Sequence, residues 1–495
     1  MNILGISAGF HDAGISFISN DKILFAAHSE RYSKNKHDSQ LNTKLLSDCI
    51  TQTGRPDQIA YYERPWLKKT RQLYAGQYRD AFNFESVSSM LDRIAPWANL
   101  KNIPVKHHSH HLSHAASGFQ TSPYDDATVV VIDAIGEWDT ISIWDATYDS
   151  NGYAKYKKLW SQKYPHSLGM FYSAMTQRAG LLPMDEEYIL MGMAAYGQYD
   201  ANTWAHFLES AKDIRFKENL HIGCQDWMPE MINFDVAASA QWTLETCLHQ
   251  IMLRADELGK SKNLVYMGGV ALNCLANEHL GAYFNNIWIM PNPGDAGSSL
   301  GAAALSYGKK LNWQGPYLGT DIPGEYPVKE LLNELVTNKI VGVANGRAEF
   351  GPRALGNRSL LADPRGKDIK DQVNQIKHRQ KFRPFAPVIL EELVSDYFDM
   401  PIGFKSSPYM QAVGRCIHPG KFPAIVHKDG TSRVQTVGKD CPSGIRKLLE
   451  AWYQWTGCPM LLNTSLNIRG EPMVNDISDA NRFEETYKVK VLCGY

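Results

Sequence analysis

A strand–loop–strand pattern that occurs twice in the N-terminal part of the chain limits the fold more than any other part of the sequence. In the first copy, the apolar residues 3–8 lead into the loop Gly9–Gly14, and a hairpin over residues 15–27 follows. In the second copy, the apolar run 127–133 ends in Asp133 and leads through a glycine loop into residues 140–144, in which apolar and polar residues alternate. Each copy predicts a buried strand, a polar turn and an antiparallel partner.

Two such hairpins that face each other form the phosphate clamps of the actin, sugar-kinase and heat-shock ATPase architecture. We therefore expect a two-lobed α/β fold with a nucleotide between the lobes, contacted in the second loop by Gly136 and Glu137. Residues 264–273 read as a strand, a glycine turn and the start of a helix. The adjacent Gly268 and Gly269 allow a ligand close to the backbone, so these glycines and Asn273 are predicted to contact phosphate or ribose.

Charge is distributed unevenly along the 495 residues, a length typical of two or three domains. Residues 331–495 carry 23 Lys and Arg against 17 Asp and Glu, a net charge of +6, whereas residues 1–330 carry 28 against 35, a net charge of −7. The overall balance excludes a polycationic nucleic-acid binder, and the basic C-terminal third favours an anionic ligand such as a nucleotide. We place the domains at 1–325 and 326–495, with a linker rich in Gly, Pro and Asp at about 315–327.

The sequence gives no sign of a membrane or secreted protein. No apolar run reaches the ~18 residues that a membrane span needs, and residues 1–6 lack the basic start of a signal peptide. The eight cysteines are scattered without a Cys-x-x-Cys pair, so neither a zinc ribbon nor a disulfide framework is indicated. We expect a cytoplasmic protein that contacts no membrane.

Two histidines and two aspartates predict a metal site. His110 and His114 are four residues apart, so both imidazoles lie on one face of a helix. Asp133 ends a predicted strand and Asp295 lies in a glycine turn. Two imidazoles and two carboxylates at open turns suit Fe(II), Mn(II) or Zn(II) and would leave coordination positions for substrate oxygens.

A run rich in arginine, glycine and proline between residues 346 and 360 predicts a rigid loop that binds oxyanions. Its arginines include Arg347 and Arg353, and the basic series continues with Lys377-His378-Arg379, Arg383 and Arg433. Lys-x-Arg at 377–379 and Ser-x-Asn at 465–467, preceded by Asn463, form an expected cradle for phosphate and a planar carbonyl group. No P-loop or Rossmann glycine motif is present.

These residues together resemble the O-carbamoyltransferase family of antibiotic and nodulation-factor biosynthesis. The resemblance covers nearly the whole chain and is carried most specifically by Gly-Pro-Arg-Ala-Leu-Gly at 351–356. Further matching segments are Phe10-His11-Asp12, residues 110–117, 165–169, 191–197, 268–273, 347–365, 382–387, 429–435 and 461–465. One motif departs from the family, since the usual Gly-Asp-Asp-Gly is Gly294-Asp295-Ala296-Gly297 here.

The resemblance implies two catalytic units. The N-terminal unit is similar to the tRNA threonylcarbamoyl transferase fold, and the C-terminal unit resembles the YrdC-type α/β fold. By this resemblance the C-terminal unit forms carbamoyl-adenylate from carbamoyl phosphate and ATP, which requires Mg²⁺, and the N-terminal unit transfers the carbamoyl group to a hydroxyl. The family's metal ligands match His110, His114, Asp133 and Asp295, with Fe(II) favoured, and the YrdC-type pairs match Lys377, Arg379, Ser465 and Asn467.

His11, which lies in a turn beside Asp12, is our candidate for the base that takes the proton of the acceptor hydroxyl. The acceptor is either a small-molecule hydroxyl or 5-hydroxymethylcytosine in DNA. The second alternative is considered because residues 61–71 interleave aromatic and basic side chains, as a nucleic-acid surface does. A tRNA threonylcarbamoylation enzyme and a non-enzymatic, nucleotide-dependent interaction module are the alternatives. The sequence does not determine the oligomeric state, and a homodimer is one alternative.

Overall fold

The N-terminal sheet has five strands in the computed structural model, which describes residues 1–82 and 85–494. The strands are β1 (Asn2–Ser7), β2 (Gly14–Ser19), β3 (Lys22–His28), β4 (Gln58–Tyr61) and β5 (Val105–His107), in the order β3-β2-β1-β4-β5. Strands β1, β2 and β3 form an antiparallel meander, whereas β4 and β5 lie parallel to β1 on its other side. The predicted strand, loop and hairpin of the first copy are confirmed.

The second sheet repeats this topology. Its strands are β6 (Asp126–Ile132), β7 (Asp139–Tyr148), β8 (Ala154–Lys163), β9 (Asn263–Met267) and β10 (Asn286–Trp288), in the order β10-β9-β6-β7-β8. Again a central strand carries an antiparallel meander on one side and two parallel strands on the other. The duplicated sheets confirm the two-lobed α/β core that the repeated hairpin predicts.

Two helices pack against each other between the sheets. The helix His110–Phe119, here called the histidine helix, contacts the helix Ser298–Tyr307 closely enough that a Cβ atom at Gly301 would lie 1.7 Å from the carbonyl oxygen of Ser113. Glycine is therefore required at this crossing, and the close approach brings the turn before Ser298 next to the two histidines. The other helices of this part are Glu30–Ser33, Thr43–Thr53, Pro65–Tyr74, Tyr78–Phe82, Val87–Ile94, Leu168–Arg178, Glu187–Met193, Thr203–Phe207 and Asn233–Leu258.

Residues 200–260 combine helices with other local structure. The 26-residue helix Asn233–Leu258 is present, but a short antiparallel pair, Leu208–Ser210 with Arg215–Phe216, and a 3₁₀ turn at Leu220–Ile222 interrupt the helical series before it. Phe207 and Phe216 of this segment are buried against Phe171, so the insertion is held by aromatic packing rather than by helical periodicity.

The C-terminal part forms one eight-stranded mixed sheet. Its strands are β11 (Ile340–Ala344), β12 (Arg358–Ala362), β13 (Ala386–Leu390), β14 (Phe398–Asp399), β15 (Ala412–Cys416), β16 (Thr431–Val437), β17 (Met460–Ser465) and β18 (Val491–Cys493), in the order β14-β15-β16-β13-β17-β12-β11-β18. The helices Val328–Asn338, Ile369–Ile376, Ile445–Thr456 and Ile477–Tyr487 accompany it. This α/β unit follows the duplicated core, as predicted.

The segment predicted as the linker between the domains, at about 315–327, contains a strand. Residues Tyr317–Ile322 pair antiparallel with Gly346–Glu349, so the connection is hydrogen-bonded to the part of the chain that follows it. Within residues 1–82 and 85–494, no helix is both long and apolar enough to cross a bilayer.

Candidate functional site

One cavity of about 460 Å³ joins the N-terminal lobes to the C-terminal sheet. It is lined by loops at the strand ends of both duplicated sheets on one side and by loops of the C-terminal unit on the other. Most of the residues predicted from the sequence meet here, although they are hundreds of positions apart. Those that line the cavity are His11, Asp12, Asp133, Gly269, Asn273, Asp295, Arg353, Lys377, Arg379, Arg383, Arg433, Asn463, Ser465 and Asn467.

At one end of the cavity, His110, His114, Asp133 and Asp295 converge as predicted. The Nε2 atom of His110 lies 3.1 Å from Asp133 Oδ2 and 3.3 Å from Asp295 Oδ1. The Nε2 atom of His114 lies 3.2 Å from Asp295 Oδ1 and 3.2 Å from the Nε2 atom of His110. The histidine helix supplies both imidazoles one turn apart, Asp133 directly follows β6, and the 3₁₀ turn Asp295–Gly297 supplies the last carboxylate.

The donor set of this cluster fits a divalent cation. The Nδ1 atom of His114 donates to the carbonyl oxygen of Pro293 at 3.0 Å, which leaves the lone pair of Nε2 facing the other three groups. The backbone amide of Gly269 holds Asp133 Oδ1, so Asp133 Oδ2 faces the histidines. Because all four side chains are buried, two neighbouring carboxylates require a compensating positive charge. Two nitrogen and two oxygen donors suit Fe(II), Mn(II) or Zn(II).

Beside this cluster, Asp12 is held between two imidazoles. Its two carboxylate oxygens accept hydrogen bonds from the Nδ1 atoms of His11 and His37, each at 2.8 Å. The Nε2 atom of His37 is 3.0 Å from Asp185, and the Nε2 atom of His11 donates to the carbonyl oxygen of Met184 at 2.9 Å. Burial lowers the pKa of His11, but the hydrogen bond and charge of Asp12 outweigh it and raise that pKa to about 8. The same carboxylates raise the pKa of His37 to about 10 against burial.

The other end of the cavity is strongly cationic. Among the described residues, the side chains of Arg353, Lys377, Arg379, Arg383 and Arg433 all line it and form no ion pair with a carboxylate. Burial, followed by repulsion from Arg433, lowers the pKa of Arg353 to about 9. Burial and the neighbouring Arg379 and Arg383 hold the pKa of Lys377 well below its ordinary range. Lys377 is buried and the four arginines are partly buried, and such a group of cations without counter-ions favours an anionic ligand with several charges.

Lys377 is fixed by the predicted Ser-x-Asn segment. Its Nζ atom donates to the carbonyl oxygens of Ser465 and Asn467, at 2.5 and 2.8 Å, and to Asn467 Oδ1 at 2.9 Å. Arg379 is held over the ring of Phe385, 3.9 Å from its centroid, and by Nε donation to Asn374 Oδ1. The Lys-x-Arg and Ser-x-Asn segments therefore lie together at this end of the cavity, and the use of this arrangement to bind a phosphate stays a prediction.

Four predicted ligand-binding residues lie outside the cavity lining. Gly136 packs against His110 and His111, and Glu137 accepts a hydrogen bond from the backbone amide of Arg64. Gly268 adopts a φ of +94° beside the backbone of Ile132. Arg347 donates to the carbonyl oxygens of Leu24, Leu318 and Gly319, so its guanidinium joins strands instead of facing a ligand. All four residues therefore have structural contacts, and their predicted contact with a ligand stays a prediction.

Several cavity residues were not predicted from the sequence. His37 and Asp185 complete the network around Asp12, Tyr188 lies under the guanidinium of Arg383 at 4.7 Å, and Arg469 forms an ion pair with Glu186. Their only signals are a histidine within the basic stretch 34–37 and an acidic stretch at 185–187, both of which are common on protein surfaces. Only the fold shows that they face the cavity.

Two family models match the chain in order. The one described as the carbamoyltransferase N-terminus matches residues 77–304, and the one described as the carbamoyltransferase C-terminus matches residues 332–493. The second match spans the eight-stranded sheet, and the first includes all four residues of the histidine–aspartate cluster.

Relatives match over most of their lengths. The uncharacterized protein sll1178 of Synechocystis sp. is 32% identical over 97% of this chain and 94% of its own. The nodulation protein NolO of Bradyrhizobium diazoefficiens is 33% identical over 75% of both chains, and the nodulation protein NolNO of Sinorhizobium fredii is 29% identical over 95% of this chain and 76% of its own. With both halves matched, the chain belongs to the carbamoyltransferase family and is an enzyme that transfers a carbamoyl group.

Proposed function

We propose that the protein is a two-step O-carbamoyltransferase that forms carbamoyl-adenylate and then transfers its carbamoyl group to an acceptor hydroxyl. The observation that supports this most is the cavity that joins five cations without ion pairs, of which Lys377 is buried and the four arginines are partly buried, to the histidine–aspartate cluster. One end suits polyanionic substrates and the other suits a Lewis-acidic cation, so each end fits a different half-reaction. Since the family is one of enzymes, the non-enzymatic module considered above no longer applies.

The first half-reaction belongs at the cationic end. Carbamoyl phosphate, attacked by one water molecule, gives carbamate and phosphate, and a carbamate oxygen then attacks the α-phosphorus of Mg-ATP. The bond to the β-phosphate breaks, and pyrophosphate leaves with the electron pair. Lys377, Arg379 and Arg353 lie where they would stabilise the charge that develops on the phosphates. Burial, followed by repulsion from neighbouring cations, lowers the pKa of each of these three side chains, and bound anions would relieve that repulsion.

The second half-reaction belongs at the histidine–aspartate end. The acceptor oxygen attacks the carbamoyl carbon, the bond to the phosphate oxygen breaks, and AMP leaves. His110, His114, Asp133 and Asp295 would hold the divalent cation, Fe(II) by preference, which when bound supplies Lewis-acid polarisation of the adenylate oxygens. His11 would take the hydroxyl proton at Nε2, with its Nδ1 proton held by Asp12.

The acceptor is a hydroxyl of a small molecule or the hydroxymethyl group of 5-hydroxymethylcytosine in DNA. Either would reach the carbamoyl carbon past Phe10 and His11, which line the cavity near the histidine–aspartate end. A tRNA threonylcarbamoylation enzyme would instead use bicarbonate and threonine, so the carbamoyl donor that supports turnover separates that alternative from this proposal.

Two substitutions test whether the half-reactions are separate. Lys377→Ala removes the centre of the phosphate cradle and should abolish pyrophosphate release from ATP and carbamoyl phosphate. His110→Ala should leave pyrophosphate release intact and stop transfer, detected by mass spectrometry as the replacement of one acceptor hydrogen by a carbamoyl group. Lys447→Ala, an exposed lysine of the same C-terminal unit, is the matched control. Equal loss of pyrophosphate release in the Lys377 and His110 variants would contradict the two-site mechanism.

A further inference from the structure

The helix Pro65–Tyr74 buries a charged side chain and exposes its aromatic ones, which is the reverse of the usual arrangement in a surface helix. Its buried side chain is a cation, Arg71, whose Nε atom donates to the carbonyl oxygen of Glu137. Its large aromatic side chains face solvent, and the next helix, Tyr78–Phe82, continues this arrangement. The exposed fractions are 62% for Trp66, 72% for Tyr74, 62% for Tyr78 and 80% for Phe82. We call these four residues the aromatic patch. Exposed aromatic groups of this extent mark a surface that binds a partner.

The charge around the aromatic patch is opposite to that of the surrounding sequence. Residues 61–82 carry five Lys and Arg against two Asp and Glu, a net charge of +3. The rest of residues 1–330 carries 23 against 33, a net charge of −10. Within the described parts of the chain, Arg64 and Arg79 are exposed and form no ion pair. A cationic aromatic surface on an otherwise acidic unit is complementary to a polyanion that carries planar rings.

This surface lies beside the acceptor end of the cavity. Lys68, on the same helix, places its Nζ atom 5.4 Å from the ring centroid of Phe10, which lines the cavity. The ring of Tyr74 contacts Trp138 at 5.6 Å, and the indole nitrogen of Trp138 donates to Thr70 Oγ1. Trp138 lies five positions after Asp133, a predicted metal ligand. The contact of Tyr74 with Trp138 therefore places one side of the aromatic patch close to the loop that carries this ligand. A partner that lies on the patch would have its reacting group close to His11.

We propose that the aromatic patch and its cations bind a nucleic-acid strand with unstacked bases, and that the acceptor hydroxyl is carried by one of these bases. Aromatic rings stack on bases of any sequence, and the arginines contact the phosphates. A base that enters the cavity must leave its duplex, and exposed rings beside the cavity mouth would hold the neighbouring bases once it has done so. This inference rests on the proposed function, because it names the class of acceptor for the transfer step.

The test measures binding and catalysis separately in the same protein preparations. The probe is a fluorescein-labelled single-stranded oligodeoxynucleotide that contains 5-hydroxymethylcytosine, titrated by anisotropy at several salt concentrations. We expect wild-type binding to weaken as salt rises, and a W66A/Y74A/Y78A variant to bind about tenfold more weakly or worse. Arg64→Gln with Arg79→Gln should reduce the salt dependence. Trp455→Ala, an exposed tryptophan of the C-terminal unit, is the control and should bind normally.

Each outcome decides a different point. Absence of oligonucleotide binding by the wild type, binding that the triple variant retains, or stronger binding of a neutral oligosaccharide would overturn the inference. Pyrophosphate release from ATP and carbamoyl phosphate should be unchanged in the triple variant, since none of the three residues lines the cavity. Absence of pyrophosphate release by the wild-type protein would contradict the proposed function instead of this inference. Transfer of label from carbamoyl phosphate to the hydroxymethylated strand, reduced in the triple variant, supports the inference.

Discussion

His11 is the residue whose protonation should govern the transfer step. Asp12 raises its pKa to about 8 against the effect of burial, so at pH 7 His11 is mostly imidazolium and cannot accept the acceptor's proton. Transfer should therefore rise by about tenfold per pH unit below pH 8 and level off above it. The acceptor hydroxyl would replace the carbonyl of Met184, to which Nε2 now donates. The check is a pH profile of carbamoyl transfer, with His11→Asn as the inactive reference.

The control for this prediction is the first half-reaction, measured as pyrophosphate release, which does not use His11 and should not follow the same profile. A transfer rate that falls between pH 6 and pH 8 would show that His11 acts as an acid or only as a structural group. The sequence could predict His11 and Asp12 as a pair because they are adjacent. It could not show that His37 would hold the second oxygen of Asp12, since that contact spans 25 positions.

At the scale of elements, the crossing between the histidine helix and the helix Ser298–Tyr307 determines the geometry of the histidine–aspartate cluster. One helix carries His110 and His114, and the other begins directly after the turn that contains Asp295. Gly301→Ala would place a methyl group 1.7 Å from the carbonyl oxygen of Ser113 and force the helices apart. We expect a loss of about 1–3 kcal/mol in the free energy of unfolding, together with weaker binding of Fe(II) or Mn(II).

Thermal unfolding and metal titration check this prediction, with Gly420→Ala as the control because no atom lies within 4 Å of a Cβ placed there. Unchanged stability and metal content in Gly301→Ala would contradict the proposed role of the crossing. The sequence predicted the strands and turns that flank both helices, because glycine, proline and alternating apolar residues signal them locally. It missed the short pair at 208–216 and the strand Tyr317–Ile322, because their pairing depends on partners that local periodicity does not reveal.

At the scale of the whole molecule, the sequence predicted two separate sites but not that one cavity connects them. The histidine–aspartate cluster and the Lys-x-Arg and Ser-x-Asn cradle were each predicted from short motifs. That both open into one cavity depends on how the C-terminal loops lie against the N-terminal lobes, which no spacing encodes. The same packing explains why Arg353 faces the cavity while Arg347, six positions earlier, holds backbone carbonyls.

We expect the labile carbamoyl-adenylate of the proposed mechanism to pass between the two ends of the cavity without release, and the ion pair between Arg469 and Glu186 provides a test of this. Arg469 belongs to the C-terminal unit and Glu186 to the N-terminal unit, and the pair is 2.5 Å long with the glutamate buried. Arg469→Met should weaken this closure, so pyrophosphate release would continue while less carbamoylated product forms for each pyrophosphate. The measurement is the ratio of the two products, with Arg446→Met, which loses pairs only within the C-terminal unit, as the control. An unchanged ratio in Arg469→Met would show that this ion pair does not confine the intermediate.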